Sequence, residues 1–315
     1  MARIIDHPGM VIRVVTLFSN TSGWSALRSG AAPGRTMRAV WLWMLLAGVV
    51  RAAGPLVSIG HIPIAVRNLE AASADYRALG FTLKPGHLHD DSISNDHAKF
   101  PDGTELELIT ASEPRDGTAA QYLRMLTVGE GPAFLAFEWT DSAATRAALT
   151  AAGMKFREGD FFTLADPRLD YLFFGGDNRS PTDKPEHFAH ANTACSLLGV
   201  WLADAENAAL RKLLRALGAN FHDRDVQAPA HVKATDVSLA RGTMLTLLPR
   251  SQRVIADRPI IGAVLMTRDL EQVARLAASA GRDHVRRSQG PGYHSLILPP
   301  AGTHGLWLEF RQPDL

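Results

Sequence analysis

Two short alternating stretches carry the side chains best suited to chemistry. In Thr104-Glu105-Leu106-Glu107-Leu108-Ile109, strand alternation sets Glu105, Glu107 and Ile109 on one face and Leu106 and Leu108 on the other. Asn95, His97 and Lys99 alternate likewise, so one strand face carries an amide, an imidazole and an ammonium. Burying three such groups without partners costs a few kcal/mol, so that face meets either solvent or a polar pocket, and the pocket is the reading adopted. His87 and His89 precede it in a Gly- and Asp-containing loop, and His61 opens the apolar run His61-Ile62-Pro63-Ile64-Ala65-Val66. The single cysteine, Cys195, excludes an intramolecular disulfide and a Cys-rich zinc site, so any metal is held by His, Asp or Glu. Imidazole nitrogen and carboxylate oxygen together suit Zn²⁺, Fe²⁺, Mn²⁺ or Ni²⁺, and an open coordination position lets such an ion polarise a substrate oxygen. The competing reading is a strand of solvated glutamates beside a histidine satisfied by a backbone carbonyl.

These residues sit inside a fourfold repeat. Asn68, Asp141, Asp204 and Asp269 are followed 12, 12, 14 and 12 residues later by Gly80, Gly153, Gly218 and Gly281. Asn and Asp cap a helix start, Gly closes a helix end, and the apolar spacing between them is helical, as in Leu210, Leu213, Leu214 and Leu217. A β-like run precedes each cap and further extended segments follow each glycine. The unit reads βαβββ, and four units predict an α+β fold whose modules pair through curved mixed sheets, because a sheet with helices on one face must cover the other. Sequence neighbours are the default pairs. They give a first domain at 55–180 and a second at 190–311, separated by the polar, proline-containing segment 177–185.

The chain has 315 residues and 46% apolar content, enough for two packed domains. Lys+Arg 33 against Asp+Glu 32 provides no excess charge with which to grip a phosphate backbone, so no nucleic-acid partner is expected. Near the start, Arg35 and Arg38 precede an apolar run at 39–50, shorter than the roughly 20 residues that span a bilayer. The run suits a signal-peptide core with a cut after Ala52. Residues 1–53 are then an N-terminal extension with a signal peptide, Met37 being an alternative start, and the protein is exported to the periplasm or secreted, with no stable membrane span after signal removal. The alternative is a short buried or membrane-surface helix on a cytoplasmic protein.

In Ile59-Gly60-His61-Ile62-Pro63-Ile64-Ala65-Val66-Arg67-Asn68-Leu69, Tyr76-Arg77-Ala78-Leu79-Gly80-Phe81 and Phe100-Pro101-Asp102-Gly103-Thr104-Glu105-Leu106-Glu107-Leu108, the chain resembles the vicinal oxygen chelate superfamily. That superfamily includes glyoxalase I, extradiol dioxygenases and bleomycin-resistance proteins, and the closer likeness is to glyoxalase-like domain proteins. As architecture it covers roughly 55–311; specific motifs lie in the first module alone. It implies a divalent metal held by a first-strand histidine and a last-strand glutamate, which are His61 and Glu107 here. It also implies catalytic roles for Glu107 and His97 and substrate contacts from Asn95, His89 and Lys99. Superfamily members also pair modules between chains, so a homodimer is a further expectation.

The other modules depart from the pattern. The positions 19 residues before their glycines are Phe134, Gly199 and Gly262, the second module's last strand offers Phe173, and only the fourth supplies a carboxylate, Glu309. Two functions follow. One is a metal-dependent enzyme, of isomerase, lyase or dioxygenase type, acting on a small oxygenated substrate. The other is a metal-free protein that encloses a small molecule, as bleomycin-resistance members do. No Gly-x-Ser-x-Gly elbow, phosphate loop, paired-histidine zinc helix or dinucleotide fingerprint is present.

Overall fold

The helix ends written into the sequence form in the molecule. Asn68, Asp141 and Asp269 accept backbone N–H bonds from Ala71, Ala144 and Gln272 at 2.8–3.0 Å. Gly80, Gly153, Gly218 and Gly281 close those helices at positive φ, where a Cβ is strained. The third repeat differs. Its cap is Asn207, which accepts from Ala209 and Leu210, because Asp204 is taken by Arg253 at 2.8 Å and by the Asn207 amide at 2.6 Å. That detour accounts for the longer spacing in this repeat.

A computed structural model describes residues 57–86, 92–159 and 161–314. The signal-peptide run with its cleavage point, and His87 and His89, lie outside the described residues. Nine strands form the first sheet: β1 (Val57–Ala65), β2 (Lys84–Pro85), β3 (Ile93–Lys99), β4 (Glu105–Ala111), β5 (Gly131–Pro132), β6 (Leu135–Trp139), β7 (Phe156–Arg157), β8 (Phe162–Leu164) and β9 (Leu172–Gly175). Its order is β2-β3-β4-β1-β6-β9-β8-β7, with β5 against β1. Eight strands form the second: β10 (Ala194–Leu202), β11 (Asn220–Val226), β12 (Val232–Ser238), β13 (Met244–Leu247), β14 (Ile260–Thr267), β15 (Arg286–Gly290), β16 (Tyr293–Leu298) and β17 (Trp307–Pro313), in the order β11-β12-β13-β10-β14-β17-β16-β15. In every module the first strand runs parallel to the last, and two modules join antiparallel through β1 and β6 or β10 and β14. The fold is therefore α+β, with four βαβββ modules in two mixed sheets.

Each module contributes one helix: α1 (Leu69–Ala78), α3 (Ser142–Ala151), α4 (Ala208–Ala216) and α5 (Leu270–Ser279). A fifth helix, α2 (Gly117–Val128), was not expected from the repeat. One hydrophobic core runs through both sheets and joins Ile62, Leu106 and Tyr76 of the first half to Leu213, Leu265 and Phe310 of the second. A smaller cluster lies on each opposite sheet face, Ile109, Tyr122 and Phe134 on the first and Trp201, Val264 and Ile297 on the second. No described helix is long and apolar enough to cross a membrane.

The segment after β9 is more than a spacer. Lys99 Nζ donates to the Asn178 carbonyl at 2.8 Å and pairs with Asp183 at 3.1 Å, while Lys84 pairs with Asp183 at 2.5 Å. Residues 178–183 are thereby strapped across the edge of the first sheet.

Arg258, before β14, reaches into the first half and donates to the carbonyls of Met125, Gly129 and Gly131 at 2.5–3.0 Å. It satisfies the end of α2, where partial negative charge accumulates, although burial lowers its pKa to about 10. Replacing Arg258 by Met strands these carbonyls. We expect a loss of about 3 kcal/mol in urea unfolding and selective gain of hydrogen exchange at the end of α2.

Candidate active site

Register brings the polar residues together. In the parallel β1–β4 pair His61 lies opposite Glu105 and Pro63 opposite Glu107; in the antiparallel β3–β4 pair His97 lies opposite Glu107 and Lys99 opposite Glu105. Directly paired residues point to the same sheet face, so β3, β4 and β1 build one polar wall. Phe134 just before β6, Phe173 of β9 and Phe161 just before β8 build the opposing wall, and Tyr122 of α2 completes it. The space between is a cavity of about 520 Å³ lined by His61, Asn95, His97, Glu105, Glu107 and these four rings among others.

Glu107 is 7% exposed. Its Oε1 accepts from the Asn95 amide at 2.6 Å, and its Oε2 lies 3.7 Å from His61 Nε2. The Asn178 amide stands 3.5 Å from His61 Nδ1, and the Phe173 ring meets the imidazole edge-on at 5.4 Å. With Nδ1 accepting from Asn178, His61 carries its proton on Nε2, toward Glu107.

Glu105 is the buried charge of the wall. His97 Nδ1 lies 3.0 Å from its Oε1 and Lys99 Nζ 3.2 Å from its Oε2. Burial alone would raise the Glu105 carboxyl, but the hydrogen bond from His97 and the electrostatic pull of the neighbouring His61, His97 and Lys99 side chains prevail and hold it at about 2. An ionised carboxylate only accepts, so His97 Nδ1 carries a proton and Nε2 is the nitrogen left for a ligand. Burial would lower the His97 pKa, yet Glu105 and Glu107 outweigh it and raise it.

The expected site residues thus fall into groups. His61, Asn95, His97 and Glu107 share the cavity wall. Lys99, 4% exposed, does not line the cavity: it is committed to Glu105, Asp183 and the Asn178 carbonyl, among the residues that hold the strap. His89 is outside the described residues. Sequence reading missed Tyr122, Asp116, Asp170 and Asn178, all of which line the cavity. Asp116 followed by Ala119, Tyr122 and Leu126 is a capped helical stripe that was available as a signal for α2.

A catalytic metal ordinarily takes three protein ligands. Here His61 and Glu107 converge, but Glu105 is tied to His97 and Lys99, and Phe134 and Phe173 occupy the second module's side. Among the described residues no group of three or more His, Cys, Asp or Glu side chains is arranged to hold an ion. The described donor set does not fit a full metal centre. In the second sheet Glu309 accepts from Arg311 at 2.7 and 2.9 Å and from Ser295 at 2.6 Å, and Trp201 lies over Gly262, where an added Cβ would come 2.7 Å from the indole. That face is filled and its carboxylate is paired.

The Glu105 network makes acid stability readable. A carboxyl held below its unfolded value stabilises the fold above about pH 4.3, and the contribution is lost as pH falls toward 2. Asp183, held at about 2 by Lys84, Ser180 and Lys99 against its own desolvation, acts in the same direction. Urea midpoints measured from pH 6 to pH 3 should fall, and Glu105→Gln should lower stability at pH 6 by about 3 kcal/mol while flattening that decline.

The glyoxalase-like domain family model matches residues 59–218. No curated protein matches the sequence. Among solved structures, a xylose isomerase-like TIM barrel/4-hydroxyphenylpyruvate dioxygenase fusion protein is similar at TM-score 0.60 and 15% identity; the match covers 85% of this chain and 51% of that one, so this chain spans about half its length. A mutant of 4-hydroxymandelate synthase from Streptomyces coelicolor aligns at TM-score 0.58 and 13% identity over 82% of this chain and 93% of that one. The Mn(II)-bound glyoxalase from Novosphingobium aromaticivorans aligns at TM-score 0.55 and 14% identity over 82% and 83%. At such identities these likenesses speak for the fold alone. With its βαβββ modules, its cavity in the first sheet and the family match over half its length, the chain belongs to the glyoxalase-like domain family of the vicinal oxygen chelate superfamily.

Proposed function

We propose that this protein binds one small, partly apolar molecule in the cup of its first sheet, without a metal centre, with the molecule's planar or aliphatic part against Phe134, Phe161 and Phe173 and its polar end at Glu107, His61 and His97. The observation that carries this reading is the division of one cavity of about 520 Å³ into an aromatic wall and a polar wall, a size and make-up typical of small-molecule sites. The polar wall is preorganised. Asn95 and Asn178 orient Glu107 and His61, and Glu105 fixes the His97 tautomer, so a ligand meets one acceptor oxygen and the His97 Nε2 in set positions.

A second reading is metal-assisted chemistry on an oxygenated substrate, favoured by the 3.7 Å convergence of His61 Nε2 and Glu107 Oε2 and by the Mn(II) in the structurally similar glyoxalase. The Phe134 and Phe173 side chains supply no ligand from the second module, which supports the metal-free reading.

Both readings are separated by thermal midpoints recorded with catechol, 2-phenylethanol and the separate ions Zn²⁺, Fe²⁺ and Mn²⁺. We expect the aromatic alcohols to raise the midpoint of the parent and not of Thr163→Trp, which fills the cavity from its wall, and the ions to raise neither. A metal-dependent rise that disappears in His61→Ala and Glu107→Ala would overturn the metal-free reading in favour of the second.

A further inference from the structure

The charge on the cavity wall is one-sided. Glu107, Asp116 and Asp170 line it, whereas no Lys or Arg does so among the described residues, and its two imidazoles, His61 and His97, face Glu107 and Glu105. The nearest ammonium, Lys99, is already used by Glu105, Asp183 and the Asn178 carbonyl. An anionic ligand would meet these three carboxylates with no lysine or arginine to receive it, the His97 imidazole being already paired with Glu105. The opposite wall is a continuous run of rings: Tyr122 meets Phe134 at 5.4 Å, Phe134 meets Phe173 at 6.4 Å and Phe173 meets Phe161 at 5.2 Å between centroids, all edge to face. Ring faces carry negative potential, and a cage of rings beside carboxylates is the chemistry that holds alkylated ammonium groups.

We propose that the molecule taken by the first cup is an organic cation, an aromatic or alkyl ammonium whose charged nitrogen sits between the Glu107 carboxylate and the faces of the cavity rings. This rests on the reading of the first cup as a small-molecule site and specifies the ligand's charge. Attraction to the rings and to Glu107 selects a cation over a neutral molecule of equal shape. Asp116 and Asp170 add long-range attraction that weakens with salt.

The test is isothermal titration calorimetry of the full chain with phenyltrimethylammonium, its neutral isostere tert-butylbenzene, and benzoate, at low and physiological salt. The expected order is phenyltrimethylammonium tightest, about tenfold over tert-butylbenzene, with no binding of benzoate. In Glu107→Gln, which keeps the amide-to-carbonyl bond from Asn95, and in Asp170→Asn, the ratio of the cation's affinity to that of tert-butylbenzene should shrink. Equal or tighter binding of tert-butylbenzene, or binding of benzoate in its place, overturns the cation proposal and leaves the cup reading standing. Failure of all three to bind a folded parent overturns both.

Discussion

A slip of one residue between Val57–Ala65 and Glu105–Ala111 would put His61 on the opposite sheet face from Glu105 and Glu107, because side chains alternate between sheet faces with period two. The parallel register that pairs His61 with Glu105 is therefore the constraint on which the site depends. It is held from both sides. Ile62, Ile64, Leu106 and Leu108 are almost wholly buried on the helix-bearing face, so slippage would exchange them for charged side chains in the main core.

Placing Glu105 on the cup face creates a second requirement, since a carboxylate only 2% exposed must be paired. Lys99 and His97, delivered by the neighbouring strand at the right register, meet it. The consequence reaches beyond the sheet. Lys99 also holds Asp183 and the Asn178 carbonyl, and Asn178 then stands over His61. A buried ion network thus sets the position of the strap, and the strap sets the orientation of a cavity histidine.

The two sheets show what happens to a repeated module when one copy keeps a ligand cavity and another does not. In the first, the face stays open as a cavity, and Thr118, Gln121 and Tyr122 of α2 line it. In the second, Trp201 lies over Gly262 and Glu309 is neutralised by Arg311, so the equivalent face is part of a packed cluster. The halves are bound by contacts such as Arg258 to the end of α2 and His304 between Glu130 and Asp75, which make the filled sheet a support for the open one.

The local elements and their faces are legible in the order of the residues alone. Cap and glycine spacings marked four helices, and alternation placed Glu105 with Glu107 and Asn95 with His97 and Lys99 on shared faces, because capping and strand pleat depend on neighbours a few residues away. It also showed that Phe134, Phe173, Gly199 and Gly262 lack metal-binding side chains. What those faces meet is set by long-range packing. That Lys99 turns to Asp183 instead of the cavity, that 177–183 folds back over His61, and that α2 brings Tyr122 to Phe134 are all contacts between residues separated by twelve to more than a hundred positions. Such contacts depend on which sheet edges and walls come together after the chain has folded, and no periodicity within one segment encodes them.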